Sequence, residues 1–212
     1  GILGVNIGKN KDTPNEKASE DYIYCLRKFY PYADYITVNL SSPNTAGLRD
    51  LQAPQALLDL LQQITTARDQ EASDCDRKVP LVLKVAPDLN SADIPAMAEV
   101  IEQCGLDGVI ASNTSIQRPG VEQYPTATET GGLSGAPIKE LADATLERFN
   151  QALPPQITRI GCGGITRGSD AVDKFKLGAS AVQIYSGFIY AGPELIQESI
   201  KALRDYGLNS KA

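Results

Sequence analysis

Histidine and tryptophan are absent from this chain, and methionine occurs once. Without histidine there is no Ser/His/Asp triad, no imidazole general acid and no histidine-ligated metal. Proton chemistry must use other groups. Long hydrophobic runs are also missing: the longest, 79–85 and 178–184, are strand-sized and far short of a membrane span. No signal peptide reads out of these residues either. Cys25, Cys75, Cys104 and Cys162 lack CxxC spacing, which points to free thiols in a reducing compartment rather than to disulfides or a metal cluster. Finally there is no dense basic patch. The chain carries 20 basic and 26 acidic residues for a net charge of −6, so nucleic acid is not an expected partner.

What is present is an ordinary core composition. The 212 residues are 42% hydrophobic and 22% charged, which suits a single globular domain over 1–212. A short apolar run followed by a helical pattern recurs six times. The strands are expected at 2–7, 35–40, 80–85, 108–112, 157–161 and 181–185. Helical spacing follows in Tyr22, Cys25, Leu26 and Phe29, in Leu57, Leu58, Leu61 and Ile64, in Ile94, Met97, Ala98 and Ile101, and in Ile138, Leu141, Thr145 and Phe149. Strands alternating with helices imply an α/β fold with a parallel sheet, either doubly wound or closed as a (β/α)8 barrel. Gly1 leads almost directly into a buried strand. The expectation is therefore a (β/α)8 TIM barrel with about six of its eight units present, the strands counting as third to eighth and the first two units lying outside the sequence.

In both architectures ligands bind beyond the carboxyl ends of the strands. Those ends read "VNIGKN", "VNLSSPN", "LKVAPD", "ASNTS", "IGCGG" and "QIYSG". Lys84 interrupts the apolar run "PLVLKVAP". A buried ammonium costs several kcal/mol unless it meets an anion or strong acceptors. An edge strand would let Lys84 snorkel to water, whereas a central parallel strand would aim it into the barrel toward an anionic or electron-accepting group. The glycines of 161–164 and the run 185–188 end the last two strands, where barrels commonly hold a phosphate. Alone, a GxGG is usually just a tight turn. "TETGGLSGAP", at 128–137, matches neither a Walker loop nor a GxGxxG fingerprint and reads as a lid or ring-packing loop within the long irregular segment 113–137. Asn39, Asn44, Asn113 and Thr114 gather amides and hydroxyls at two strand ends, donors and acceptors together, which suits a small ligand with an imide or ureide edge.

"GVNIGKNK", "NLSSPNTAGLRDLQ", "LKVAPD", "ASNT", "TGGLSGAP", "GCGGI" and "QIYSGF", in order along nearly the whole chain, resemble the catalytic barrel of dihydroorotate dehydrogenase, an FMN enzyme family of pyrimidine synthesis. Ser42 stands where the soluble class 1 enzymes carry cysteine, so the resemblance is to the quinone-linked class 2 branch, and more to its bacterial members. By resemblance, Asn6, Asn39, Lys84, Ser112, Gly135, Gly164, Tyr185 and Ser186 contact FMN, while Asn39, Asn44, Asn113 and Thr114 hold the orotate ring. Serine at 112, where many relatives have threonine, keeps the hydroxyl.

The resemblance implies oxidation of (S)-dihydroorotate to orotate, with Ser42 taking the C5 proton, a hydride passing from C6 to flavin N5, and a quinone accepting the electrons. Lys84 would stabilise charge on the reduced flavin and Thr45 would anchor a proton relay from Ser42. It further implies peripheral association with the cytoplasmic side of the cell inner membrane, or with the mitochondrial inner membrane, through an N-terminal segment outside this sequence. Three alternatives remain: an inactive fragment of such an enzyme, a class 1 type enzyme, and a flavin barrel that reduces dihydrouridine in RNA. An acidic chain does not favour the last.

Overall fold

A strand in a parallel sheet shows alternate residues to two different layers, and here both layers are filled. The computed structural model describes residues 1–209. Six strands form one sheet in chain order: β1 (Gly4–Ile7), β2 (Tyr35–Asn39), β3 (Leu81–Val85), β4 (Gly108–Ala111), β5 (Thr158–Cys162) and β6 (Ala181–Gln183). Every adjacent pair is parallel. The helices are α1 (Ala18–Phe29), α2 (Pro54–Cys75), α3 (Ile94–Gln103), α4 (Lys139–Ala152), α5 (Gly168–Lys176), α6 (Ser186–Ala191) and α7 (Glu194–Asn209). This is a six-strand arc of a (β/α)8 barrel, with about six βα units, as the sequence led one to expect.

Ile36, Val38, Leu81, Leu83, Val85 and Val109 turn outward and bury themselves against the helices. Each such side chain contributes roughly 1.5–3 kcal/mol relative to exposure, so this outer layer dominates the stability. The inner face is thinner. Its apolar cluster is Val82, Ile110 and Cys162, with Tyr35 and Ile160 packed on it. Register sets the inner rows: Asn39 pairs with Lys84, Lys84 with Ile110, Ile110 with Ile160, and Ile160 with Ala181. One row below, Asn6 pairs with Thr37 and Thr37 with Val82.

The expected strands are found with shifted ends. β1 begins at Gly4 rather than at residue 2, and β6 stops at Gln183 rather than at 185 because Tyr185 already sits at the entry to α6. In α1 the buried stripe is Ala18, Tyr22 and Leu26, and Phe29 faces solvent. In α4 it is Ala142, Thr145, Leu146 and Phe149, a stripe rotated so that Leu141 is only half-buried. The segment 113–137 is not structureless. Ser115 and Leu133 exchange an antiparallel pair of backbone bonds, and Arg118 donates to the carbonyls of Ala127 (3.0 Å), Glu129 (3.0 Å) and Gly131 (2.8 Å). All four cysteines are free, with Cys104 and Cys162 buried and Cys75 exposed.

Charges at the amino-terminal end of the sheet and between the helices have partners close by, although Arg159 Nε and Arg68 Nη1 are buried without a hydrogen bond. Arg159 donates to the carbonyls of Ile157 (2.9 Å), Asn150 (3.2 Å) and Leu153 (2.8 Å), closing the end of α4. Burial lowers its pKa. Between α4 and α5, Lys174 is 0% exposed and lies 2.6 Å from Asp143, which Lys139 also reaches at 2.7 Å. Burial depresses the Lys174 pKa and the contact with Asp143 opposes it. For Lys139 burial works against the charge, yet the bonds to Asp143 and Asp173 outweigh it and raise its pKa.

Removing one partner of a buried pair strands the other charge, whereas removing the buried cation itself strands nothing while Lys139 still neutralises Asp143. Asp143→Ala should lower the unfolding free energy in denaturant titrations by about 3–5 kcal/mol, and Lys174→Met should be near neutral or stabilising. A larger loss in Lys174→Met than in Asp143→Ala would contradict this reading.

Candidate active site

The carboxyl ends of β2 to β6 open into one cleft of about 570 Å³. Of the twelve residues expected at the site, eleven line it: Asn39, Ser42, Asn44, Lys84, Ser112, Asn113, Thr114, Gly135, Gly164, Tyr185 and Ser186. Asn6 does not. It lies on the inner face of β1, a row below Asn39, and is exposed.

At one end of the cleft the amides organise themselves. Asn39 Oδ1 accepts from Ser41 N (3.2 Å), Ser41 Oγ (3.0 Å) and Asn113 Nδ2 (3.2 Å), while Asn113 Nδ2 also donates to Ser41 Oγ (3.0 Å). From behind, the buried Tyr22 hydroxyl donates to the Asn39 carbonyl at 2.8 Å. This leaves Asn39 Nδ2 without a partner among the described residues and therefore available as a donor pair. Asn113 is different. Both its amide hydrogens are committed, and Oδ1 already accepts the Thr114 N–H at 2.8 Å, so it offers a ligand only its remaining lone pair. In this arrangement Asn113 faces the cleft as an acceptor.

Ser42 is half-buried, and its Oγ accepts the Asn44 backbone N–H at 3.2 Å. No direct hydrogen bond joins the Ser42 and Thr45 side chains. The Thr45 carbonyl accepts the Leu48 N–H, in the short turn that leads to Leu48–Gln52. The N–H on Ser42 Oγ favours negative charge there, the sense needed for a hydroxyl that gives up or receives a proton.

Lys84 occupies the middle of the cleft. Its Nζ has one weak acceptor, Gln183 Oε1 at 3.5 Å, and forms no ion pair among the described residues. It points inward from a central strand, so the edge-lysine alternative does not apply. Cys162 stands beside it, and burial raises its thiol pKa against the pull of Lys84 and Lys174.

The far end is built from Gly163 and Gly164 after β5 and from the start of α6. Gly164 has φ +76°, and a Cβ there would come within 2.5 Å of Lys139 Cα. Only glycine fits, and its backbone lies open to the cleft. On the opposite wall the glycine loop rests on the ring-holding end: a Cβ on Gly132 would overlap the Thr114 side chain and sit 2.9 Å from Pro43 Cγ. Ser186 Oγ donates to Ser134 Oγ at 2.8 Å and joins this loop to α6. Tyr185 is 79% exposed and contributes at the rim. An unneutralised ammonium, hydroxyls and a glycine backbone form a donor set that suits a flat, electron-accepting ring with a phosphate tail.

Sequence reasoning passed over three residues. Gln183 is the acceptor for Lys84, brought 99 residues across the sheet. Arg49 and Asp88 form a 2.6 Å ion pair beneath the loops. All three lie inside motifs that carry the resemblance, but only their tertiary partners give them meaning.

A family profile described as dihydroorotate dehydrogenase matches residues 1–206. Curated relatives named dihydroorotate dehydrogenase (quinone), from Flavobacterium lutescens and Xanthomonas campestris pv. campestris strain B100, are 52% and 53% identical over 204 residues. Each match covers 96% of this chain and 58% of the relative, so the chain spans little more than half the length of these relatives. Among solved structures, an Eimeria tenella dihydroorotate dehydrogenase in complex with ferulenol gives a TM-score of 0.91 at 34% identity, over 99% of this chain and 59% of that one. The ligand-free enzyme gives 0.90 at 36%, over 100% and 61%.

Burial makes a thiol slow by raising its pKa and by blocking approach. With an aromatic disulfide reagent at about pH 8, the exposed Cys75 should react promptly, and Cys104 and Cys162 only after denaturation. Prompt labelling of Cys162, read by peptide mass spectrometry, would show the cleft wall to be looser than described.

Proposed function

Since the chain belongs to the dihydroorotate dehydrogenase family, we propose that it supplies the flavin- and substrate-holding part of an enzyme oxidising (S)-dihydroorotate to orotate, in UMP synthesis, with a quinone as final acceptor. The observation that carries this reading is Lys84: a central-strand ammonium with one weak acceptor, set between an amide and hydroxyl cluster and a glycine loop.

FMN, when bound, supplies the two-electron acceptor that the side chains lack. Gly164, Gly135, Tyr185 and Ser186 would hold its phosphate and tail, and Asn39, Lys84 and Ser112 its ring edge, with Asn6 approaching from the row below. Lys84 then counters negative charge where water is scarce. Asn39 Nδ2, Asn44, the Asn113 acceptor and the Thr114 hydroxyl fix the substrate ring, contributing mainly through orientation. Ser42 takes the C5 proton. A free hydroxyl is a weak base, and the Asn44 N–H lowers the cost of charge on Oγ. Neither a histidine nor a carboxylate is bonded to Ser42 among the described residues, so the proton is passed on to water.

Serine rather than cysteine at position 42 and the names of the curated relatives support the quinone-linked branch. Quinones reside in lipid, and we place the protein peripherally at the cytoplasmic face of a bacterial inner membrane, with the mitochondrial inner membrane as the alternative. No helix among the described residues is long and apolar enough to cross a membrane.

The natural full-length protein should be yellow and should bleach anaerobically with dihydroorotate. A colourless protein, or one indifferent to dihydroorotate, would refute the reading. Ser42→Ala should slow bleaching on the order of 10²–10⁴-fold while keeping the flavin. Lys84→Met should lose flavin on gel filtration or reduce it slowly, and normal flavin content with normal turnover would remove Lys84 from its assigned role.

A further inference from the structure

Ser42 is held in place from underneath. The guanidinium of Arg49 donates in three directions: Nε to the Ser41 carbonyl (3.1 Å), Nη1 to Asp88 Oδ2 (2.6 Å) and Nη2 to the Thr114 carbonyl (2.9 Å). Asp88 in turn accepts the Ile116 N–H at 3.0 Å and a short bond from Ser115 Oγ. The buried Gln52 lies on the same layer, with Oε1 accepting the Ala86 N–H at 3.0 Å. Loops from β2, β3 and β4 therefore meet on one ion pair, whose side chains are only 20% and 8% exposed. Neither Arg49 nor Asp88 lines the cleft.

Two anchorages separate at this point. The side chains of Asn39, Ser41 and Asn113 close on one another, with Tyr22 behind them, and Arg49 bonds none of these side chains, reaching only main-chain oxygens of Ser41 and Thr114. The peptide that leads into Ser42 is different: its oxygen, the Ser41 carbonyl, is fixed by Arg49 Nε. We propose that Arg49 and Asp88 are positioning residues for proton removal, setting where Ser42 Oγ stands relative to the bound ring while leaving ring binding to the amides. The proposal rests on the reading of Ser42 as the base. A planar fork is required, because a lysine could keep the charge and the contact to Asp88 but could not reach three loops at once. Displacing a reacting group by about 1 Å from a distance can cost on the order of 10²-fold in rate.

The test uses the natural full-length, flavin-loaded protein and four variants: Arg49→Lys, Asp88→Asn, Ser42→Ala and the Ser42→Ala/Arg49→Lys double. Arg49→Lys should keep its flavin content and bind orotate within about threefold of wild type by calorimetry, yet reduce its flavin roughly 30- to 100-fold more slowly. The double variant should be no slower than Ser42→Ala alone, because a positioning residue has nothing left to position. Hydrogen exchange of 41–46 should accelerate in Arg49→Lys while that of β2 does not. Asp88→Asn provides the same readings should Arg49→Lys fold poorly. Additive losses in the double variant would overturn the proposal, as would wild-type reduction by Arg49→Lys or parallel losses of orotate binding and flavin. A wild-type protein that dihydroorotate does not bleach, or a Ser42→Ala variant reducing at the wild-type rate, would instead sink the reading of Ser42 as base.

Discussion

Ile36 and Val38 on β2, with Leu81, Leu83 and Val85 on β3, face the helices, and this apolar face decides the direction of every other side chain on the same strands. Strand periodicity is two, so a slip of one residue would carry Asn39 and Lys84 into the helix layer and expose a row of aliphatic groups. The several kcal/mol held by that layer are thus what aim the cleft. Parallel register does the rest by bringing Asn39, Lys84 and Ile110 to one height in successive strands.

The treatment of charge divides the molecule. Toward the amino-terminal ends of the strands and between helices, cations are matched on the spot: Arg159 by helix-end carbonyls, Lys174 by Asp143, and Arg68 by Asp69 and Asp107. Toward the carboxyl ends, Arg49 is matched by Asp88, but Lys84 has only an amide at the limit of hydrogen bonding. The contrast gives Lys84 its significance. A fold able to neutralise a completely buried lysine between α4 and α5 leaves this one uncompensated.

Sequence alone revealed what breaks a local pattern. Lys84 was legible because a charge interrupts an aliphatic strand, and Asn39, Ser42 and Asn113 because they crowd the ends of apolar runs. A parallel α/β sheet followed from alternating periods, which by themselves left barrel and doubly wound order open, and the end of β6 was overrun because "IYSGF" reads equally well as strand or helix. What stayed hidden is long-range. Arg49 looks like any loop arginine until Asp88, 39 residues on, and Thr114, 65 residues on, are folded against it. Likewise nothing local announces that the Asn113 amide is spent on Asn39 and Ser41. Local pattern locates polar groups, whereas tertiary bonding decides which of their donors remain free.

Arg118 grips the carbonyls of Ala127, Glu129 and Gly131, and the Ser115–Leu133 pairing closes the neck of the same segment. Everything from Gly120 to Thr126 therefore hangs outside a fastened neck, mostly exposed and carrying no bond to the cleft walls. Loop-closure entropy rises only slowly with length, so residues could be added or lost at this tip with little consequence for the catalytic end. The tip is a place where lineages can diverge in length and acquire surface traits, while the fastening arginine shields the chemistry from that drift.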